Sequence, residues 1–519
     1  MLLFAAGVAL LLPFLAAWRL GDLREATPQF LALYMAALAI YGVATVAALR
    51  LGALSGRALA LLFLLAAAMM AITVINRPTL SDDMYRYVWE GRMQANGLSP
   101  YRYPPNAPEL SHLQEGEIWV HINRKSDVTI YPPIAQAAFA LLWRLVPDSV
   151  RWFQAVVALS ALLAGGLLVG LLRELGRSPA RVIIYLWAPL LVFETAHSAH
   201  LDGLVLPLLV GAWWARTRKK DVLVGVLLGL AAAVKLYPAL LLPALWRPDD
   251  RRGRWTMPLA FAVTLAASYL PALLSYGSEV IGFLPEYLGE RFNMGLAGLL
   301  IPTFQDLGLD PNRALLLLML AALGGIALWM VLRPARDGET AVRRSIWLIG
   351  AYTLLTQNLF SWYLLWMLPL VAIFLPSVPL GQGLAGIRDA LRVPGSLAWT
   401  GWWLFCGLIG LSYSFFIVWR PAPWALWAQY LPLYLLLIAE AARWLLARRQ
   451  LTTARATWCV HKAASCPFRP DRLLPADSRC GCCWGRARSA FFATGGFSSA
   501  PLDCSIWPSD RCKTCSSCP

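Results

Sequence analysis

Apolar segments of about 17–25 residues, each long enough to cross a bilayer as a helix, recur along this chain and constrain its fold more than any other feature. They lie near 1–18, 28–49, 56–76, 150–172, 180–196, 201–215, 255–275, 313–332, 343–358, 361–376, 397–419 and 424–447. Composition agrees: 59% of residues are hydrophobic and 14% charged, against roughly 45–50% and 25% in soluble domains. Twenty-four tryptophans suit the membrane–water interface. The start, Met1-Leu-Leu-Phe, has neither a basic leader nor a small-residue cleavage site, so the first segment is expected to be a retained helix. The predicted class is an all-α polytopic membrane protein.

Lys and Arg number 45 against 29 Asp and Glu, a formal net charge of +16. The basic residues are scattered between apolar segments, which argues for membrane topology and against nucleic-acid binding. Arg50 and Arg57, Arg173 to Arg181, Arg216 to Lys220, Arg247 to Arg254, Arg333 to Arg344, and Arg448 with Arg449 form successive clusters. All can be cytoplasmic together under two conditions. The stretch 221–246 must be a hairpin of two short helices turning near Lys235, and Tyr131–Val146 must lie along the outer face as an amphipathic helix. The chain would then cross about fourteen times with both termini inside. Arg19 and Arg24 do not fit, since both fall in the first outer loop. The polar segment 77–130 becomes a large outer loop, of a length that usually signals function.

That loop opens with Ser81-Asp-Asp-Met-Tyr-Arg86. Ser81 can cap the helix that follows, and acids in a first turn suit its dipole. Asp83, and second to it Asp82, are the candidate general bases, because partial desolvation at the membrane surface tunes a carboxylate towards neutrality. Arg86, one turn on, is an ion-pair partner or a phosphate ligand. Glu90 and Arg92 read as solvated or structural. His197-Ser-Ala-His-Leu-Asp-Gly203 closes the fifth segment. His197, His200 and Asp202 read there as contacts to sugar hydroxyls or phosphate; a zinc site would lack a fourth ligand. Lys235 at the hairpin tip is costly at membrane depth and suits a phosphate oxygen. Pro285 to Asn293 and Gln357 to Tyr363 return Arg291, Asn293, Trp362 and Tyr363 to the same side.

Six patches carry a resemblance to the GT-C glycosyltransferases, and within them to the bacterial polyprenyl-phosphate-mannose branch. They are Ser81-Asp-Asp-Met-Tyr-Arg-Tyr87, Gly97-Leu-Ser-Pro-Tyr101, Tyr131-Pro-Pro133, His200-Leu-Asp202, Lys235-Leu-Tyr-Pro238 and Trp362-Tyr363. They occur in the family's order across roughly 75–380. The sequence departs from common family patterns in having Ser99-Pro-Tyr and His200-Leu-Asp, and in placing three helices before the first large loop. The resemblance implies a GT-C-like bundle of about 12–14 transmembrane helices with a large first extracytoplasmic loop, and its catalytic aspartate corresponds best to Asp83. The implied reaction is transfer of a hexose, mannose favoured, from a polyprenyl-phosphate donor to a lipid-linked or polysaccharide acceptor, at the outer face of the cell (inner) membrane. Asp83 would act as base and Lys235, Arg86 or Arg291 would meet the leaving phosphate. Tyr131, His197, His200, Asp202, Asn293, Trp362 and Tyr363 would bind sugar or substrate. No metal ligand set or cofactor is assigned, and a divalent metal stays open. The competing class is a secondary transporter or flippase of lipid-linked glycans, which predicts an inverted repeat and ionisable residues at helix midpoints.

Domain organisation follows: a transmembrane body at 1–447, with 77–146 as its catalytic loop and surface helix, and a tail at 448–519. Nine of the ten cysteines lie between Cys459 and Cys518, without helical or strand period. Metal-ligand spacing is confined to the last group, and the expected topology places it in a reducing compartment. The tail is expected to be a disordered extension whose composition fits a shifted reading frame.

Overall fold

The computed structural model describes residues 1–248, 253–378 and 383–464 of the 519-residue chain. They are helical and, among the described residues, no strand forms; a single isolated bridge joins Phe292 and Asn358. Met1–Glu440 forms one compact unit, and a second begins at Ala441. The last helix, Pro423–Ala464, runs beyond the boundary near 447 that hydropathy marks. The cysteine-rich remainder of the tail lies outside the described residues.

Among the described residues, eight helices are long and apolar enough to cross a membrane: Leu2–Leu20, Thr27–Arg50, Gly56–Val74, Val150–Glu174, Arg254–Ile281, Pro311–Leu332, Ser396–Val418 and Pro423–Arg448. A ninth is reached if the pair Pro179–Leu186 and Pro189–His197, bent by 58°, counts as one span. The other predicted spans exist as shorter or more polar pieces. Asp202–Thr217 is a 16-residue helix, and Gly338–Leu355 carries Glu339, Arg343 and Arg344. The stretch 361–374 is a 3-10 turn followed by a short helix. Of these, Met367–Phe374 is buried along its whole length and need not face lipid. The outer helices Arg254–Ile281 and Pro311–Leu332 expose most of their apolar surface, whereas residues 180–203 are buried throughout.

The expected hairpin at 221–246 is present. Helix Asp221–Val234 ends at Lys235, whose backbone is extended, and the chain returns through Tyr237–Leu241 and Leu242–Leu245. Arg247 closes the base on Asp221 at 2.5 Å. The ascending limb packs against helix Gly253–Tyr276 through Gly225 and Gly229, where a Cβ would strike the backbone of Met257 and Phe261. Small residues four apart allow this approach.

Hydrogen bonds sort the connections into two ends. At one end Ser178 meets Gly52, Arg177 meets Glu339, and Arg216 donates to the carbonyls of Leu245 and Ala335. At the other, Leu23, Thr79 and His197 are linked, Gln154 donates to the carbonyls of Asn76 and His197, and Arg102 pairs with Glu279 and Arg124 with Glu290. The basic clusters at 177–181, 216–220 and 333–344 thus share the first end, as expected. Arg24 stands at the second end for a local reason: it pairs with Asp82 at 2.8 Å, donates to the Thr79 carbonyl and lies over Phe416.

Candidate active site

The long loop is folded, not extended. Helix Asp83–Ala95 lies against helix Pro133–Leu145, with Tyr87 stacked on Phe139 at 4.7 Å and Gly91 touching the Phe139 backbone. Leu141, Leu145 and Val146 remain exposed on the second helix, which fits a surface-lying amphipathic element. Glu90, fully buried, accepts from Arg86, Thr129 and Gln136 and ties the two helices to the loop between them.

This packing decides which acid faces the cleft. Ser81 Oγ accepts the Asp83 amide at 3.3 Å and supports the helix start. Asp82 turns to Arg24 and makes no cap bond. Asp83 instead turns inward: Oδ1 accepts from Asn123 at 2.8 Å, and Oδ2 lies 3.7 Å from His200 Nδ1. Its side chain keeps 25% exposure, so it can be reached from solvent. Burial pushes its carboxyl above the usual aspartate range, against the lowering influence of Asn123 and Lys235.

The opposite wall comes from residues 193–202. Phe193–His197 form a π-helical turn, and Ala199 adopts φ 50°. π-turns and left-handed non-glycine residues gather at functional sites. Together they turn His200 towards Asp83, with its ring stacked on Trp362 at 3.6 Å. Two residues on, Asp202 begins the next helix and holds Lys235 at 2.5 Å. The ammonium also lies 4.8 Å from the Tyr363 ring centre and 5.5 Å from that of Tyr237. Beneath it, Tyr237, Leu240, Leu241, Ile349, Tyr352 and Tyr363 line a narrow aromatic crevice of about 10 Å³, room for a single water.

Of the predicted site residues, Asp83, His200, Asp202, Lys235, Trp362 and Tyr363 are brought together. Tyr131 stands close by, edge-on to Tyr87 at 5.1 Å. Others go elsewhere. The Arg86 guanidinium is buried on Glu90 and the carbonyls of Arg124 and Asp127, so it shapes the loop instead of facing a phosphate. His197 Nε2 accepts from the Thr79 amide, and Asn293 bonds Gln429. Arg291 is exposed and bonds Asn312. His197 and Asp202 are thus engaged separately, by Thr79 and by Lys235. Among the described residues no group of three His, Cys, Asp or Glu is placed to hold a metal ion.

Sequence reasoning missed Asn123, Arg124, Tyr287, Tyr413 and Glu194. Only Glu194 left a signal: it is a carboxylate inside the apolar run 180–196. In the fold it is buried, bonded to Tyr413 at 2.8 Å and 3.3 Å from His200 Nε2.

Fold and site together define a multi-pass helical membrane protein with a desolvated acid and a paired cation in a cleft at one end of the bundle. Comparison with known proteins agrees. Residues 129–361 match Glycosyltransferase family 87. GPI mannosyltransferase 1 of Gibberella zeae is 34% identical over 125 residues, 22% of this chain and 29% of that protein. The Aspergillus oryzae protein of the same name is 33% identical over 123 residues, covering 22% and 30%. That of Aspergillus fumigatus is 31% identical over 141 residues, covering 26% and 33%. The chain thus matches about a third of the length of these curated relatives. The similarities support a GT-C superfamily, mannosyltransferase-like protein.

Proposed function

We propose that this protein transfers a hexose, with mannose favoured, from a polyprenyl-phosphate donor to a lipid-linked or polysaccharide acceptor. One juxtaposition carries the reading: Asp83 and Lys235, far apart in sequence, meet around His200 and Asp202. Glycosyl transfer from a lipid phosphate needs a base for the acceptor hydroxyl and a cation for the charge growing on the leaving phosphate. Asp83 is the base, and its raised proton affinity suits the task. Lys235 is the phosphate ligand, with Asp202 fixing its direction. The aromatic residues around Lys235 offer the first isoprene units an apolar surface, which a soluble nucleotide donor would not need. Tyr131 supplies a flat face for the sugar ring, and the relatives' printed name favours mannose. The positive-inside clusters at the far end support the reading that the cleft opens on the extracytoplasmic face of the cell membrane. A transporter would hold its ionisable groups at helix midpoints; here Asp83 and Asp202 begin helices and Lys235 ends one.

The test is transfer from polyprenyl-phosphate [3H]mannose by membranes carrying the full chain, counting lipid-linked, polymeric and free mannose as products. Asp83→Asn should lower turnover by roughly a thousandfold with insertion and donor binding retained. Near-native turnover would remove Asp83 as base. For the native protein, kcat/KM should fall as pH drops through the Asp83 pKa, with its acid limb above the ordinary aspartate value of about 3.9.

A further inference from the structure

Behind Asp83 lies a second acid–base pair that the proposed chemistry has not used. His200 is fully buried, and neither ring nitrogen makes a hydrogen bond. Nε2 lies 3.3 Å from Glu194 Oε2, and Nδ1 lies 3.7 Å from Asp83 Oδ2. Glu194 is held in turn by Tyr413, whose hydroxyl reaches both carboxylate oxygens at 2.8 and 3.0 Å. The imidazole cannot rotate freely, because it caps a ladder of stacked rings. Trp362 lies 3.6 Å from it, Phe360 4.3 Å beyond, and Phe292 4.7 Å beyond that.

We infer that His200, oriented by Glu194, is a positioning residue that accepts a hydrogen bond from Asp83 once Asp83 has taken the acceptor's proton. The inference rests on the reading of Asp83 as base. Glu194 Oε2, 3.3 Å from Nε2, offers an acceptor on that side and favours the tautomer protonated at Nε2, which leaves the Nδ1 lone pair facing Asp83 Oδ2. That lone pair repels the carboxylate and welcomes the carboxylic acid, so it strengthens the base. Burial, then the Lys235 charge and His197, hold His200 well below its usual pKa, so it stays neutral as the arrangement requires.

The step balances. The acceptor oxygen forms its bond to the sugar's anomeric carbon as the bond from that carbon to the phosphate oxygen breaks. The electron pair leaves on the lipid phosphate beside Lys235. The acceptor's proton moves to Asp83 Oδ2, is held against Nδ1 as O–H···N after a closure of less than an ångström, and departs through the open side of the cleft. The other titratable or charged groups facing Asp83 are Asp82, Tyr87, Arg124, Tyr131, Lys235 and Tyr287. None of them presents an uncharged nitrogen acceptor to Oδ2.

His200→Phe separates packing from proton affinity, because phenylalanine keeps the stack on Trp362 and removes Nδ1. Measured with polyprenyl-phosphate [3H]mannose, kcat should fall at least about tenfold while donor KM changes little. The acid limb of the pH profile should move down towards that of an ordinary aspartate. A purely structural histidine would leave that limb in place, and an unmoved limb in a folded His200→Phe overturns the inference. Should that variant fail to fold, Glu194→Leu, which removes the acceptor beside Nε2, must move the limb in the same direction by a smaller amount, and no movement there overturns it equally. Failure of the underlying reading looks different: Asp83→Asn would stay active, whereas failure of this inference alone pairs an inactive Asp83→Asn with an unmoved limb in His200→Phe.

Discussion

Two cations, a buried arginine at one end of the bundle and a half-buried lysine at the other, illustrate opposite uses of charge in a membrane protein. Arg181, at the end rich in arginine, donates to the carbonyls of Ala372, Ile373 and Leu375 at 2.8–3.2 Å and to Ser377. Its donors are spent on the C-terminal turn of a neighbouring helix, where free carbonyls and the dipole attract a cation. Lys235, at the cleft, has one carboxylate partner and two aromatic faces, and keeps 18% exposure. A guanidinium saturated by backbone acceptors fastens two segments together. An ammonium held from one side remains able to meet an incoming oxyanion.

The sharpest way to break this comparison is to remove each cation. Arg181→Met should lose about 3 kcal/mol or more, since several buried carbonyls are orphaned together; the expected result is low yield and early thermal aggregation in detergent. A near-native melting profile would deny its fastening role. Lys235→Met should lower transfer by roughly a hundredfold, and it also strands Asp202, whose side chain is 1% exposed. Stability therefore falls too, because a buried charge loses its partner. Lys235→Met combined with Asp202→Asn should recover the stability and not the transfer. Recovery of both would show that Lys235 only balances Asp202.

Asp82→Asn sharpens the comparison between the neighbouring acids. It weakens the partly exposed pair with Arg24 and leaves Asp83 in place, so activity should drop less than about tenfold. A loss larger than that of Asp83→Asn would exchange their roles. The smallest effect is expected from deletion after Ala464: transfer and insertion should be unchanged, because the removed composition cannot bury enough apolar surface to offset its ordering entropy. Loss of bound zinc together with activity would identify a working domain in the tail.

Much of this was legible before folding. Hydropathy marked the long helices, and Lys235 with its flanking prolines marked the hairpin tip, since a lysine inside an apolar run has few tolerable positions. Asp83 and the His200–Asp202 pair stood out as polar groups at helix ends. Arg86, Asn293 and His197 misled because residue type alone does not reveal a partner. Each is consumed by a backbone or side-chain group from a distant segment: Asp127, Gln429 and Thr79.

The sequence by itself therefore determined the membrane class, the order of the hairpins and the end at which the polar groups collect. Those properties follow from transfer free energies, which are local and nearly additive along a chain. Only the tertiary structure decided that Asp83 and not Asp82 faces the cleft, that Arg86 is a loop clamp, and that Glu194 stands behind His200. Those outcomes depend on which buried donor finds which acceptor. Pairing of that kind is set by side-chain directions across the whole bundle, through a π-turn, one left-handed alanine and a ladder of stacked rings.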